Sequence, residues 1–178
     1  MRLFFGLTLP EEIRRATAAC AGAAQAVIPG RYLPAANHHI TLAFLGDVAP
    51  ERLGEAQAVL ARCAADVPAP CLTLGGLSHF GRPQNAILIL RVHSEPALDD
   101  LHERLVRALL ASRLPADPGP FSPHITLARH AVMPECLPPA PAPLCFRADR
   151  AHVFLSARGE DGVLAYTPIA EAAFSPAR

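Results

Sequence analysis

Two histidines in this chain sit in identical settings: His39-Ile40-Thr41-Leu42-Ala43 and, 85 positions later, His124-Ile125-Thr126-Leu127-Ala128. A pentapeptide that recurs at close to half the length of a 178-residue chain points to an internal duplication. Isoleucine, threonine and leucine favour extended backbone, where successive side chains alternate between faces, so His and Thr at i and i+2 point the same way. Each copy therefore presents one imidazole and one hydroxyl together. Ile40, Leu42, Ile125 and Leu127 turn to the opposite side, where they can bury against helices. An imidazole, with an ordinary pKa of about 6.5, supplies both protonation states at neutral pH. A pair across one cleft can take a proton from water attacking phosphorus and return one to the departing alkoxide. The threonine hydroxyls can donate to the non-bridging phosphate oxygens as charge is redistributed. This chemistry calls for no metal and no cofactor, and the near-symmetry of the motifs leaves open which histidine is acid and which is base.

Threonine taken alone is an ordinary strand former, and only its spacing from histidine gives Thr41 and Thr126 a chemical reading. His38 beside His39 raises the idea of a metal site. Adjacent residues of a strand face opposite ways, however, and no carboxylate or cysteine stands at ligand spacing, so His38 is read as a packing or surface residue. His79, His93, His102, His130 and His152 are read as structural.

The elements that must position the pair follow from periodicity and punctuation. Arg2 to Leu9 reads as a short buried strand, and Pro10 with Glu11 and Glu12 opens a helix to about Ile28. Tyr32 to Ala35 reads as a brief strand before the turn residue Asn37, and the first His/Thr strand runs to about Leu45. Pro50 opens a second helix carrying Leu53, Ala56, Leu60 and Cys63 on one face. Cys71 to Leu77 and Ala86 to Val92 read as a hairpin around Phe80-Gly81. Ser94 is expected to cap a third helix with the stripe Leu98, Leu101, Leu105, Ala108, Leu109, ahead of the second His/Thr strand starting near Phe121. Prolines between Met133 and Pro143 force an extended loop, and Phe146 to Leu155 and Leu164 to Ala173 close the chain as two strands around Gly159-Glu160-Asp161-Gly162. The pattern is one supersecondary unit repeated, and it predicts an α+β fold: two mostly antiparallel sheets with outer helices, their inner faces meeting at a cleft.

Composition narrows the partners. The formal net charge is zero, so duplex nucleic acid finds no global basic field, and an anionic ligand must be met locally. All sixteen basic residues are arginine, which reads first as a codon bias and lowers the weight of any single Arg. The five cysteines are scattered without a C-x-x-C pair, so neither a disulfide framework nor a zinc site is indicated, and a cytoplasmic setting is expected. No uncharged run reaches the roughly 20 apolar residues of a membrane span, and the N-terminal apolar run is too short for a signal peptide, so the mature chain is expected to start at Met1.

Asn37-His38-His39-Ile40-Thr41-Leu42-Ala43-Phe44-Leu45-Gly46 with Phe121-Ser122-Pro123-His124-Ile125-Thr126-Leu127-Ala128-Arg129 resembles the 2H phosphoesterase superfamily. The resemblance is specifically to its bacterial RNA 2′,3′-cyclic phosphodiesterases of the LigT-like type, first described as 2′-5′ RNA ligases. It extends from Arg2-Leu3-Phe4-Phe5 through Phe80-Gly81 to Ser156 and Tyr166. It implies a single bilobal domain over 1–178 with pseudo-twofold symmetry, each lobe supplying one H-x-T strand. It also implies metal-independent opening of an RNA-terminal 2′,3′-cyclic phosphate to a 2′-phosphate, with minor reversible ligation. His39 would be the general acid and His124 the general base, with Thr41 and Thr126 beside them, and Phe44 and Arg129 would flank the terminal nucleobase. Simple alternation puts Phe44 and Arg129 off the histidine face, so a twist or strand end must turn them inward. Ala86 stands where relatives often carry an aromatic residue. The expected partner is an RNA end or a small nucleotide, and a monomer is expected. The alternatives are another phosphodiester of the same chemistry, such as a 2′-5′ oligonucleotide or an ADP-ribose cyclic phosphate, and a non-catalytic RNA-end binding module.

Overall fold

The computed structural model describes residues 1–94, 96–139, 142–159 and 162–175. The chain enters through β1 (Arg2–Thr8), α1 (Glu11–Gln25), β2 (Arg31–Tyr32) and β3 (His39–Asp47), then α2 (Leu53–Ala65), β4 (Cys71–Phe80) and β5 (Ala86–Ser94). It continues with α3 (Pro96–Ala111), β6 (His124–Ala131), β7 (Cys145–Arg147), β8 (Arg150–Arg158) and β9 (Leu164–Ala173). The strands pair antiparallel in the order β7-β4-β5-β6-β3-β1-β8-β9, with β2 added beside β6. The fold is α+β, and the two sheets read from the sequence are joined edge to edge through one residue pair, Ile40 opposite Ile125. Outward from that pair the halves correspond: β3-β1-β8-β9 on one side, β6-β5-β4-β7 on the other. The unit β1-α1-β3 recurs as β5-α3-β6.

The core lies on the isoleucine side of the sheet. Leu3, Phe5, Leu7, Ile40, Leu42, Ile125 and Leu127 are buried there with Ile13 and Ala24 of α1, Leu60 of α2, and Leu101 and Leu105 of α3. Burying a Leu or Ile side chain stabilises by roughly 1.5–3 kcal/mol, so this face holds the motif strands in place and frees the other for polar groups. The helix α3 packs on β3 while α1 reaches β6, so each crossover helix also backs the motif strand of the other half. Gly6 makes the close approach possible. It lies opposite Thr41, and a Cβ there would meet the Ile40 carbonyl at 2.7 Å and the Phe154 ring at 3.2 Å.

Several boundaries differ from the sequence-based expectation. The stretch Phe146 to Leu155, expected as one strand, is divided at Ala148-Asp149: β7 pairs with β4 at the edge of one half, while β8 lies between β1 and β9 in the other. Different partners claim the two pieces. The strand expected over Tyr32 to Ala35 shrinks to Arg31–Tyr32, because Pro34 offers no N–H and a 3-10 turn, Ala35–Asn37, follows. Pro50 begins a 3-10 turn ahead of α2 rather than the helix itself. Ser94 is the last residue of β5, and the capping role expected of it involves residue 95, outside the described residues. The turn at 159–162 and the proline-rich loop are likewise described only in part, without 160–161 and 140–141.

Candidate active site

The same irregularity occurs in both motif strands. Along β1 and β3, Gly6 pairs with Thr41 and Phe5 with Ala43, so Leu42 is an extra residue; along β5 and β6, Ile89 pairs with Thr126 and Leu88 with Ala128, so Leu127 is extra. A bulge of this kind shifts the alternation by one. Leu42 and Ala43 are therefore both buried, as are Leu127 and Ala128, and the next residues, Phe44 and Arg129, return to the histidine side. The inward turn that the sequence left unexplained is a pair of matching bulges. His130 adds a second device at the end of β6, with φ of 53° and its Nδ1 2.8 Å from Asn85 Oδ1.

His39, Thr41, His124 and Thr126 are all partly exposed on one face, opposite the buried Ile40 and Ile125. The antiparallel register at Ile40 and Ile125 sets His39 beside Thr126 and Thr41 beside His124. Each imidazole is held the same way: Nδ1 donates to the carbonyl two residues earlier, His39 to Asn37 at 2.7 Å and His124 to Ser122 at 2.7 Å. That bond assigns the proton to Nδ1 and leaves Nε2 as the working nitrogen. His39 Nε2 lies 3.1 Å from Thr41 Oγ1.

The walls differ. His39 is enclosed by Phe4 (centroids 4.7 Å apart), by Tyr166 edge-on at 4.9 Å and by Phe154 at 5.6 Å. The buried Asn37 ties this wall together, donating from Nδ2 to the Leu164 carbonyl at 2.7 Å and accepting from the Tyr166 N–H at 3.1 Å. His124 meets one ring, Phe80, edge-on at 4.9 Å. Burial drives the His39 pKa down to about 4, opposed by the bond to Asn37 and reinforced by the charges of His124, His38 and Arg129. Burial also lowers the His124 pKa, opposed by the bond to Ser122 and reinforced by Arg129.

Phe44 and Arg129 stand at opposite ends of the histidine pair, because β3 and β6 run antiparallel from their shared isoleucines. Phe44 is 52% exposed and borders a hollow of about 360 Å³ with Thr41, Phe80, His102, Phe121 and His124. Arg129 borders a second hollow, with Tyr32, Asn37 and Tyr166. The two residues therefore do not sandwich one ring between them, as the resemblance implied; each ends a different hollow.

Four contributors escaped sequence reasoning. Asn37 read as a turn residue, and its carbonyl and carboxamide are bonded only in the fold. Ser122 acts through its backbone, which no side-chain pattern reports. Phe4 read as core, although it lies beneath His39. His102, read as structural, borders the Phe44 hollow; it stacks on Phe121 at 4.4 Å and its Nδ1 donates to the Leu42 carbonyl at 2.7 Å, inside the bulge. His38 is a packing residue as expected, buried and 2.9 Å from Thr17 Oγ1. Among the described residues no helix is long and apolar enough to cross a membrane.

Comparison with known proteins places this geometry. A family model described as the 2′-5′ RNA ligase superfamily matches residues 8–160. An RNA 2′,3′-cyclic phosphodiesterase of Geobacillus stearothermophilus is 36% identical over 128 residues, 71% of this chain but only 41% of that protein, so this chain spans well under two thirds of that relative. The protein of the same name from Thermus thermophilus is 37% identical over 151 residues, covering 78% of this chain and 73% of the relative. Among solved structures, that of E. coli LigT complexed with 3′-AMP superposes with a TM-score of 0.83 at 29% identity, covering 97% of both chains. With two H-x-T strands side by side, matching bulges and a family match over most of its length, the chain belongs to the 2′-5′ RNA ligase superfamily, the 2H phosphoesterases.

Proposed function

We propose that this protein hydrolyses an RNA-terminal 2′,3′-cyclic phosphate to a 2′-phosphate by two-histidine acid–base catalysis. One observation carries the reading: two imidazoles lie on one polar face, each with Nδ1 bound to the carbonyl two residues before it and Nε2 left for proton transfer. One Nε2 takes a proton from water as its oxygen bonds to phosphorus. The bond from phosphorus to the ribose 3′ oxygen breaks, and the other imidazole protonates that oxygen. Thr41 and Thr126 donate to the non-bridging oxygens, and the Arg129 guanidinium balances their charge. Phe44 gives the terminal base an exposed apolar ring. Reverse ligation runs through the same transition state and is minor in water. The 1–178 chain works as one bilobal unit, since each half supplies one H-x-T pair.

The family resemblance assigns His39 as acid and His124 as base. His39 by itself holds its proton less well than an ordinary imidazole, so the assignment works through the substrate. A bound phosphate anion offsets the positive charge of Arg129 and raises the His39 pKa. The names of the curated relatives and the nucleotide in the E. coli neighbour support an RNA end as substrate.

The test is hydrolysis, in EDTA, of a short RNA ending in a 2′,3′-cyclic phosphate, with the phosphate isomer identified. Release of 2′-phosphate by wild type and not by His39→Ala or His124→Ala supports the mechanism. No turnover of the RNA end, with turnover of a 2′-5′ oligonucleotide or an ADP-ribose cyclic phosphate, moves the same chemistry to another substrate. Binding of the RNA end without turnover of any of these leaves the binding-module reading.

A further inference from the structure

The end of the cleft beyond Arg129 carries a feature that hydrolysis of the cyclic phosphate does not use. The strand β2 places Arg31 directly opposite Arg129 on β6, and like charges opposed across neighbouring strands destabilise a sheet. Arg158, at the end of β8, lines the same hollow of about 310 Å³, its Nη1 held by the Gly162 carbonyl at 2.7 Å. Among the described residues none of these three guanidinium groups has a carboxylate within 4.0 Å. In a chain of zero formal charge, three arginines without a carboxylate partner among the described residues converge on one hollow, and a bound anion would relieve the repulsion among them. The hollow adjoins the histidines, since Asn37 and Tyr166 line it and also anchor and wall His39.

We infer that this hollow binds the phosphodiester joining the terminal nucleotide of the RNA to the one before it. The inference rests on the proposed function and extends it. An RNA 2′,3′-cyclic phosphate end carries two anionic centres on one ribose, the cyclic phosphate and the 5′-linked phosphodiester. A nucleoside 2′,3′-cyclic phosphate carries only the first. With the cyclic phosphate between the histidines and the base toward Phe44, the 5′ side leaves toward Arg31 and Arg158, whose planar forks fit phosphate oxygens in pairs. The site thus selects a polynucleotide end over a mononucleotide, although the protein as a whole has no basic field.

The experiment compares a dinucleotide ending in a 2′,3′-cyclic phosphate with adenosine 2′,3′-cyclic phosphate, using wild type and the double variant Arg31→Gln/Arg158→Gln. Both side chains are exposed, so the variant is expected to fold. Wild type should prefer the dinucleotide by about tenfold or more in kcat/KM, mainly through KM, and the double variant should bring that preference close to one. Binding of a short RNA with a 2′-phosphate end provides a readout independent of turnover. The salt slope of log Kd should fall by roughly 0.7 in the variant, the amount for one phosphate of a single strand left without its cation. An unchanged preference, or equal affinity and salt slope in the two proteins, overturns the inference and leaves the proposed function standing. Failure of wild type to hydrolyse either substrate counts against the proposed function, and the binding measurement then still decides this site.

Discussion

The two H-x-T pairs are chemically identical peptides in unequal surroundings. His39 lies among Phe4, Phe154 and Tyr166, with its anchoring carbonyl on a buried asparagine that is itself bonded to β9. Among the described residues His124 has one aromatic neighbour, and its anchoring carbonyl belongs to the exposed Ser122. The repeated pentapeptide supplies equal reagents, and the residues outside it make them unequal. That inequality is what an acid–base pair requires, because the two groups must do opposite things at one pH.

The largest expected effect tests the division of labour. His39→Ala and His124→Ala should each lower kcat by about 10²–10⁴-fold on a cyclic phosphate end. A phosphodiester with a 4-nitrophenolate leaving group needs no proton donor. Turnover of that ester should survive loss of the acid and not loss of the base, so recovery of His124→Ala rather than His39→Ala would reverse the assignment.

Stability against pH sharpens the same contrast. A histidine whose pKa drops from 6.5 to about 4 on folding leaves the unfolded chain binding more protons between those values. Its stabilising contribution is therefore complete above about pH 6.5 and is lost as pH falls toward 4, a change of roughly 3 kcal/mol for His39. Urea denaturation at pH 7.5 and 4.5 should show this loss in wild type and much less of it in His39→Gln. The less enclosed His124 should contribute less, so an equal effect from His124→Gln would contradict the asymmetry. The lowered pKa of His124 predicts an acid limb in kcat/KM below pH 6.5, because the base must be neutral.

Substituting the anchors separates the halves again. Asn37→Ala leaves the Leu164 carbonyl and the Tyr166 N–H without their partner and should cost about 2 kcal/mol in denaturant melts, with a fall in kcat as the backbone carbonyl that holds His39 loses its tie to β9. Ser122→Ala keeps the carbonyl that holds His124 and should change stability by less than about 0.5 kcal/mol. The smallest effect belongs to the wall: Tyr166→Leu removes one ring from His39 and should raise its NMR-titrated pKa toward the ordinary value, while Phe80→Leu should move that of His124 less.

The duplicated pentapeptide, the buried strand before it and the amphipathic stripe of α3 were legible because each is written in local periodicity. The alternation that turns His and Thr to one face and Ile and Leu to the other survives up to the bulge. Beyond it the rule fails, and Phe44 and Arg129 would be misplaced by sequence alone, since the extra residues at Leu42 and Leu127 exist only relative to β1 and β5. The division of Phe146 to Leu155 was hidden for the same reason: both pieces have strand composition, and only their partners differ.

The sequence by itself determined the reagents, their spacing and the repeated strand-helix-strand unit, because side-chain chemistry and the period of two need nothing beyond neighbouring residues. The tertiary structure decided which groups meet. Joining β3 to β6 at one isoleucine pair sets four polar side chains on a common face, sends Phe44 and Arg129 to opposite ends, and wraps one histidine more closely than its twin. Those outcomes depend on register and burial, which are properties of paired strands and not of either strand alone.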